Sequence, residues 1–111
     1  MKYFIVNSER SGTEYYEFCK GSWDGETFWK DDSIYLHDDV LYENQNFLSA
    51  LVRVKPDFNS FGVTDISRED WERLQSEVQG YPDGCREIFS ELDAWVMDTF
   101  SAYDCFTVLG I

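Results

Sequence analysis

Between Cys85 and Phe100 the residues Ile88, Phe89, Leu92, Trp95 and Val96 recur at three- and four-residue spacing. At 100° per residue they fall on one side of a helix. A stripe this continuous has to be buried against other elements, so the C-terminal third of the chain predicts a core-facing helix beginning near Asp83. On the opposite side Glu87, Glu91 and Asp98 lie within a narrow arc, and like charges one turn apart cost a few tenths of a kcal/mol per pair in an isolated helix.

A second helix is predicted from Ser67-Arg68-Glu69-Asp70, a capping box in which Asp70 stands where Glu or Gln is usual. Its core face is expected to carry Trp71, Leu74, Gln75 and Val78, and Glu69 can pair with Arg73. Earlier in the chain, Lys2–Val6 and Tyr15–Cys19 have strand composition and are expected to form a hairpin across the polar run 7–12. Asp24-Gly25 marks a tight turn needing positive φ. Ser33–Leu36 is a short third strand candidate. A helix capped by Asp38 or Asp39 is expected over Val40 to Val52, with Asn44-Gln45-Asn46 able to split it, and Lys55-Pro56 stops it. Phe58–Ile66 reads as extended chain or loop bent at Gly62, and Phe106–Leu109 as a final strand. The expected architecture is one α+β domain over residues 1–111: a small antiparallel sheet, made of an N-terminal hairpin and a C-terminal strand, packed against two to three helices.

Composition narrows function by exclusion. The chain has 22 acids against 9 bases, a formal net charge of −13. That sign repels nucleic acid and anionic lipid. Nine Phe, seven Tyr and four Trp are far from the aromatic-poor makeup of a disordered acidic chain. No apolar run reaches the roughly 18 residues of a membrane span, and the N-terminus lacks a signal-peptide pattern. Three cysteines without a C-x-x-C spacing indicate reduced thiols in a cytoplasm, with neither a disulfide framework nor a zinc knuckle.

No residue pattern names a reaction, and the chain is read as a non-enzyme without cofactors. His37, the only histidine, stands beside Asp38 and Asp39, but no nucleophile accompanies it, and a surface imidazole is the simpler reading. The pairs Asp31-Asp32 and Asp38-Asp39 lack the ligand rhythm of a calcium loop. The acids form two tracts free of Lys and Arg: one from Asp31 to Val52, the other following Arg86 and including Glu87, Glu91 and Asp98. A surface kept acidic for solubility is the plain alternative. Against it, the first tract is interleaved with rings, the composition of protein-binding hot spots. The expected partner-binding residues are therefore Trp29, Asp31, Asp32, Tyr35, Asp38, Asp39 and Tyr42, with Glu87, Glu91 and Asp98 as a second group.

In size, acidity and aromatic richness the whole chain resembles the small immunity proteins of bacterial contact-dependent growth inhibition and related polymorphic toxin systems. The passage Phe61-Gly62-Val63-Thr64-Asp65-Ile66-Ser67-Arg68-Glu69-Asp70-Trp71-Glu72-Arg73-Leu74 is similar to helix-initiating segments of such proteins. The resemblance implies a cytoplasmic protein that binds and blocks a cognate toxin domain, often a nuclease with a basic active site. An acidic mimic of DNA, or a regulator that targets a nucleic-acid-binding protein, would be acidic for the same physical reason.

Overall fold

The computed structural model describes all of residues 1–111. Five strands form one antiparallel sheet: β1 (Phe4–Val6), β2 (Tyr15–Lys20), β3 (Ile34–His37), β4 (Val63–Ser67) and β5 (Cys105–Leu109), in the spatial order β1-β3-β2-β5-β4. Four helices accompany them: α1 (Asp38–Glu43), α2 (Gln45–Val54), α3 (Arg68–Val78) and α4 (Asp83–Phe100). The α+β class and the antiparallel sheet agree with the sequence reading.

The expected pairing of the first two strands does not. β1 and β2 are not neighbours; each pairs with β3, through Phe4 opposite Leu36 and Tyr16 opposite Leu36. The reason lies in β2, whose residues Tyr15 to Cys19 are all buried. A strand covered on both faces belongs inside a sheet, where β3 and β5 flank it, and the shorter β1 takes an edge.

Alternation along the strands sets two different environments. One face carries Phe4, Phe18, Leu36, Ile66 and Phe106 and shares a single core with the apolar sides of the helices. Trp71 of α3 stacks on Phe89 of α4 at a ring separation of 4.3 Å, and Phe106 meets Trp71 edge-on at 5.7 Å. The opposite face, with Tyr15, Glu17, Cys19, Tyr35 and Thr107, is buried as well. There the cover is the β2–β3 connection.

Helix ends follow local chemistry. Ser67 Oγ accepts from Asp70 N at 3.1 Å while Ser67 N donates to Asp70 Oδ2 at 3.0 Å, so the capping box forms as the sequence predicts. Arg73, however, pairs with Asp70 at 2.8 Å and not with Glu69, because Asp70 is already fixed by the cap, and Gln75 faces solvent outside the core stripe. Neither Asp38 nor Asp39 caps α1. His37 does, its Nδ1 accepting from Asp39 N at 3.0 Å. Asn44, at φ −122° and ψ 53°, separates α1 from α2, and its side-chain amide donates to the Val40 carbonyl at 2.7 Å.

The Asp70 carboxyl is held below its ordinary range. Partial burial pushes it up, but hydrogen bonds from Ser67, then Arg73, and the charge of Lys55 outweigh that effect. A carboxyl depressed in the folded state contributes stability that is present above its unfolded pKa, about 3.9, and lost as pH falls through the folded value. Asp70→Asn is therefore expected to cost about 1 kcal/mol at pH 7 and to shrink the loss of stability below about pH 4. Denaturant titrations at several pH values measure both.

Candidate partner-binding surface

The first acidic tract is one stretch of sequence but not one surface. Asp31 and Asp32 precede β3 whereas Asp38 and Asp39 follow it, and at about 3.3 Å per extended residue the strand holds the two pairs roughly 20 Å apart. In the first pair only Asp31 uses its side chain, accepting from Asn7 Nδ2 at 3.0 Å; Asp32 gives Trp95 Nε1 its backbone carbonyl alone, at 3.2 Å, and both residues stay exposed. Tyr35 must be withdrawn as a partner-binding residue. It is fully buried, and its hydroxyl donates to the Lys30 carbonyl at 2.6 Å. Trp29 is half-buried with its ring 5.8 Å from that of Tyr35, under the guanidinium of Arg10 at 3.9 Å.

The ridge on α4 is also tied inward. Glu91 accepts from the backbone N–H groups of Lys2, Tyr3 and Phe4, which fastens edge strand β1 to the helix and uses the carboxylate that the sequence reading assigned to a partner. Glu87 pairs with Lys2 at 3.5 Å, and Asp98 pairs with Lys20. The like charges on one helix face are thus relieved by Lys2, just ahead of β1, and by Lys20 of β2.

A residue that sequence reasoning missed organises the far face of the sheet. Glu17, 2% exposed, accepts from Trp29 N at 2.6 Å, Lys30 N at 3.0 Å and Ser33 Oγ at 2.7 Å. The Tyr35 hydroxyl lies 3.5 Å away, but its one proton is already given to Lys30. The carboxylate thereby folds the β2–β3 connection onto the sheet. That fold holds Trp29 at φ +61°, a costly backbone for a bulky residue, and places Gly25 at φ +86° in the turn expected at Asp24-Gly25. Asp24 caps that turn, with Oδ1 2.8 Å from both Glu26 N and Thr27 N; those amides hold its carboxyl well below the usual range, Thr27 foremost. Burial, followed by the charge of Glu17, pushes the neighbouring Cys19 thiol up to about 12, so it stays protonated and unreactive. The signal was present in the sequence as a single acid inside Tyr-Tyr-Glu-Phe-Cys.

Asp38, Asp39, Tyr42 and Glu43 all project from α1 into solvent. Beside them, Tyr42, Leu41, Leu48, Phe61 and Tyr16 line a groove of about 280 Å³ with Asp38 at its rim. Tyr42 is 74% and Phe61 82% exposed. Phe61 was not among the expected contacts, although it belongs to a turn legible as Asn59-Ser60-Phe61-Gly62. The turn is well fixed: Phe61 N donates to Asn59 Oδ1 at 2.9 Å and Gly62 N to the Asn59 carbonyl at 3.1 Å. The C-terminal residues brace it, with Gly110 N donating to the Gly62 carbonyl at 2.7 Å and Ile111 N to the Ser60 carbonyl at 2.8 Å. Only glycine permits that approach, because a Cβ at position 110 would lie 2.4 Å from the Ser60 carbonyl oxygen.

His37 is a cap in ring contact with Tyr15 at 4.9 Å, and its Nε2 lies 3.9 Å from Glu14. No three His, Cys, Asp or Glu side chains converge in a way that could hold a metal ion, and no helix is long and apolar enough to cross a membrane. Around α1 the exposed acids Asp38, Asp39 and Glu43 stand beside the exposed rings of Tyr42 and Phe61. No protein-family model, curated protein or solved structure matches this chain.

Proposed function

We propose that this protein is an immunity-type inhibitor, a cytoplasmic binding protein that covers the basic active site of a cognate toxin domain, a nuclease. The observation that carries this reading is the one-sided use of charge. Seven of the nine bases are ion-paired within the chain. Of the remaining two, Arg10 lies over Trp29, and Arg68 donates to the Phe100 carbonyl. The acids of α1 meet no Lys or Arg at all; Asp39 touches only His37, at 3.7 Å. An outward field of one sign, with rigid rings beside it, steers a cationic protein surface and then anchors it.

The test begins with a pull-down using the C-terminal domain encoded by the neighbouring open reading frame, followed by co-expression in cells. Asp38→Lys and Asp39→Lys together are expected to weaken the complex about one hundred-fold, largely through slower association, with raised salt reducing the wild-type rate. The reversal should also abolish protection. Unchanged binding and protection after reversal would mean that the acids serve solubility. Recovery of a host nucleic-acid-binding protein in place of a toxin would favour the DNA-mimic alternative.

A further inference from the structure

We infer that the groove between α1, α2 and the 59–62 turn is an anchor site that takes one apolar side chain of the partner, flanked in the partner's sequence by Lys or Arg. The inference rests on the reading of a basic protein partner and names what that partner must present.

Three features support it. The groove is open and lined largely by apolar side chains, and a volume of about 280 Å³ accommodates a single aromatic or branched side chain. Its two exposed aromatic walls, Tyr42 and Phe61, are rings with little rotamer freedom to lose, and Phe61 stands on a turn closed by two hydrogen bonds and braced by Gly110 and Ile111. A phenylalanine held in water on a rigid turn contributes nothing to the core, and it binds at small entropic cost. Finally, the charge around it has one sign. Asp38 lines the groove, Asp39 and Glu43 stand on the same six-residue helix, and no Lys or Arg is among the lining residues. A segment with an apolar centre and basic flanks complements each part of this surface. A second copy of the chain, itself at net charge −13, would bring like charges together.

Titration of the ¹⁵N-labelled protein with the peptide acetyl-Lys-Lys-Phe-Lys-Lys-amide tests the assignment, with two control peptides that carry Ala for Phe or Glu for the four Lys. The Phe peptide is expected to shift the amides of Asp39, Tyr42, Leu48 and Phe61 and to bind about ten-fold or more tightly than either control at low salt. Phe61→Ala, at an exposed position that leaves the core intact, should erase the preference for Phe over Ala. Shifts that map elsewhere, or equal binding of the Phe and Ala peptides, would overturn the inference. So would dilution-sensitive dimerisation abolished by Phe61→Ala, which would assign the groove to a second copy. Cell protection is a separate readout. If protection fails while the peptide preference holds, the toxin reading falls and the groove stands; if the preference is lost while protection holds, only the groove assignment falls.

Discussion

Replacing Glu17 with Ala is expected to lower stability by about 4 kcal/mol, among the largest single-residue effects available in this chain. The three donors that converge on the carboxylate are two backbone amides, Trp29 and Lys30, and the Ser33 hydroxyl. The amides cannot be removed by any side-chain change, so the substitution leaves them without an acceptor in a partly buried site, and each hydrogen bond to a charged group is worth about 1.5 to 3 kcal/mol. Rehydration through a loosened loop would recover part of that cost. Glu17→Gln keeps the shape but points an amide NH₂ toward a cluster of donors, and it should regain only about half of the loss. Chemical denaturation measures the energy, and hydrogen exchange at the Trp29 and Lys30 amides reports whether the loop has left the sheet. A Glu17→Ala protein within 1 kcal/mol of wild type would show that the loop does not depend on this carboxylate.

Leu92→Ala is expected to cost about 2 to 5 kcal/mol, with the melting temperature falling by roughly 10 °C or more. Leu92 is 1% exposed on the inner side of α4, within the one core shared by the helices and the sheet. The truncation leaves a cavity that close-packed neighbours such as Ile88 and Val96 fill only in part. Met97 is 45% exposed on the same helix. Met97→Ala should therefore stay within about 0.5 kcal/mol, which separates burial from helix propensity as the cause. Equal losses at the two positions would contradict the assignment of the core face.

Where a segment's structure depends on its own neighbours in sequence, it was legible. The period of α4 marks its buried side, since Cys85, Ile88, Phe89, Leu92, Val96 and Phe100 are all buried and Trp95 is half-buried. The Ser67 and Asp70 cap, the Asp24-Gly25 turn and the break at Asn44 are equally local, each decided by a hydrogen bond or a positive φ within a few residues, and the strand at Phe106–Leu109 is marked by its own run of β-prone residues. A hairpin between β1 and β2 was the natural local expectation, and it was wrong because strand partners are chosen by how much of each strand can be buried, a property of the assembled sheet.

For the candidate surface the division is sharper. The sequence by itself determined that the protein is strongly acidic, rich in rings and free of bases over two long tracts, because charge and composition are additive and need no coordinates. Which of those acids remain available was decided only by the tertiary structure. The fold brings Lys2 and Lys20 to the α4 ridge, gives Glu91 to the backbone of β1, and buries Tyr35 under a loop fastened to Glu17. It also sets Phe61 beside Tyr42 across a gap of nineteen positions in the chain, leaving the acids of α1 next to the two most exposed rings of the groove. Proximity between elements distant in sequence is what burial and closure of the whole chain produce, and no window of residues contains it.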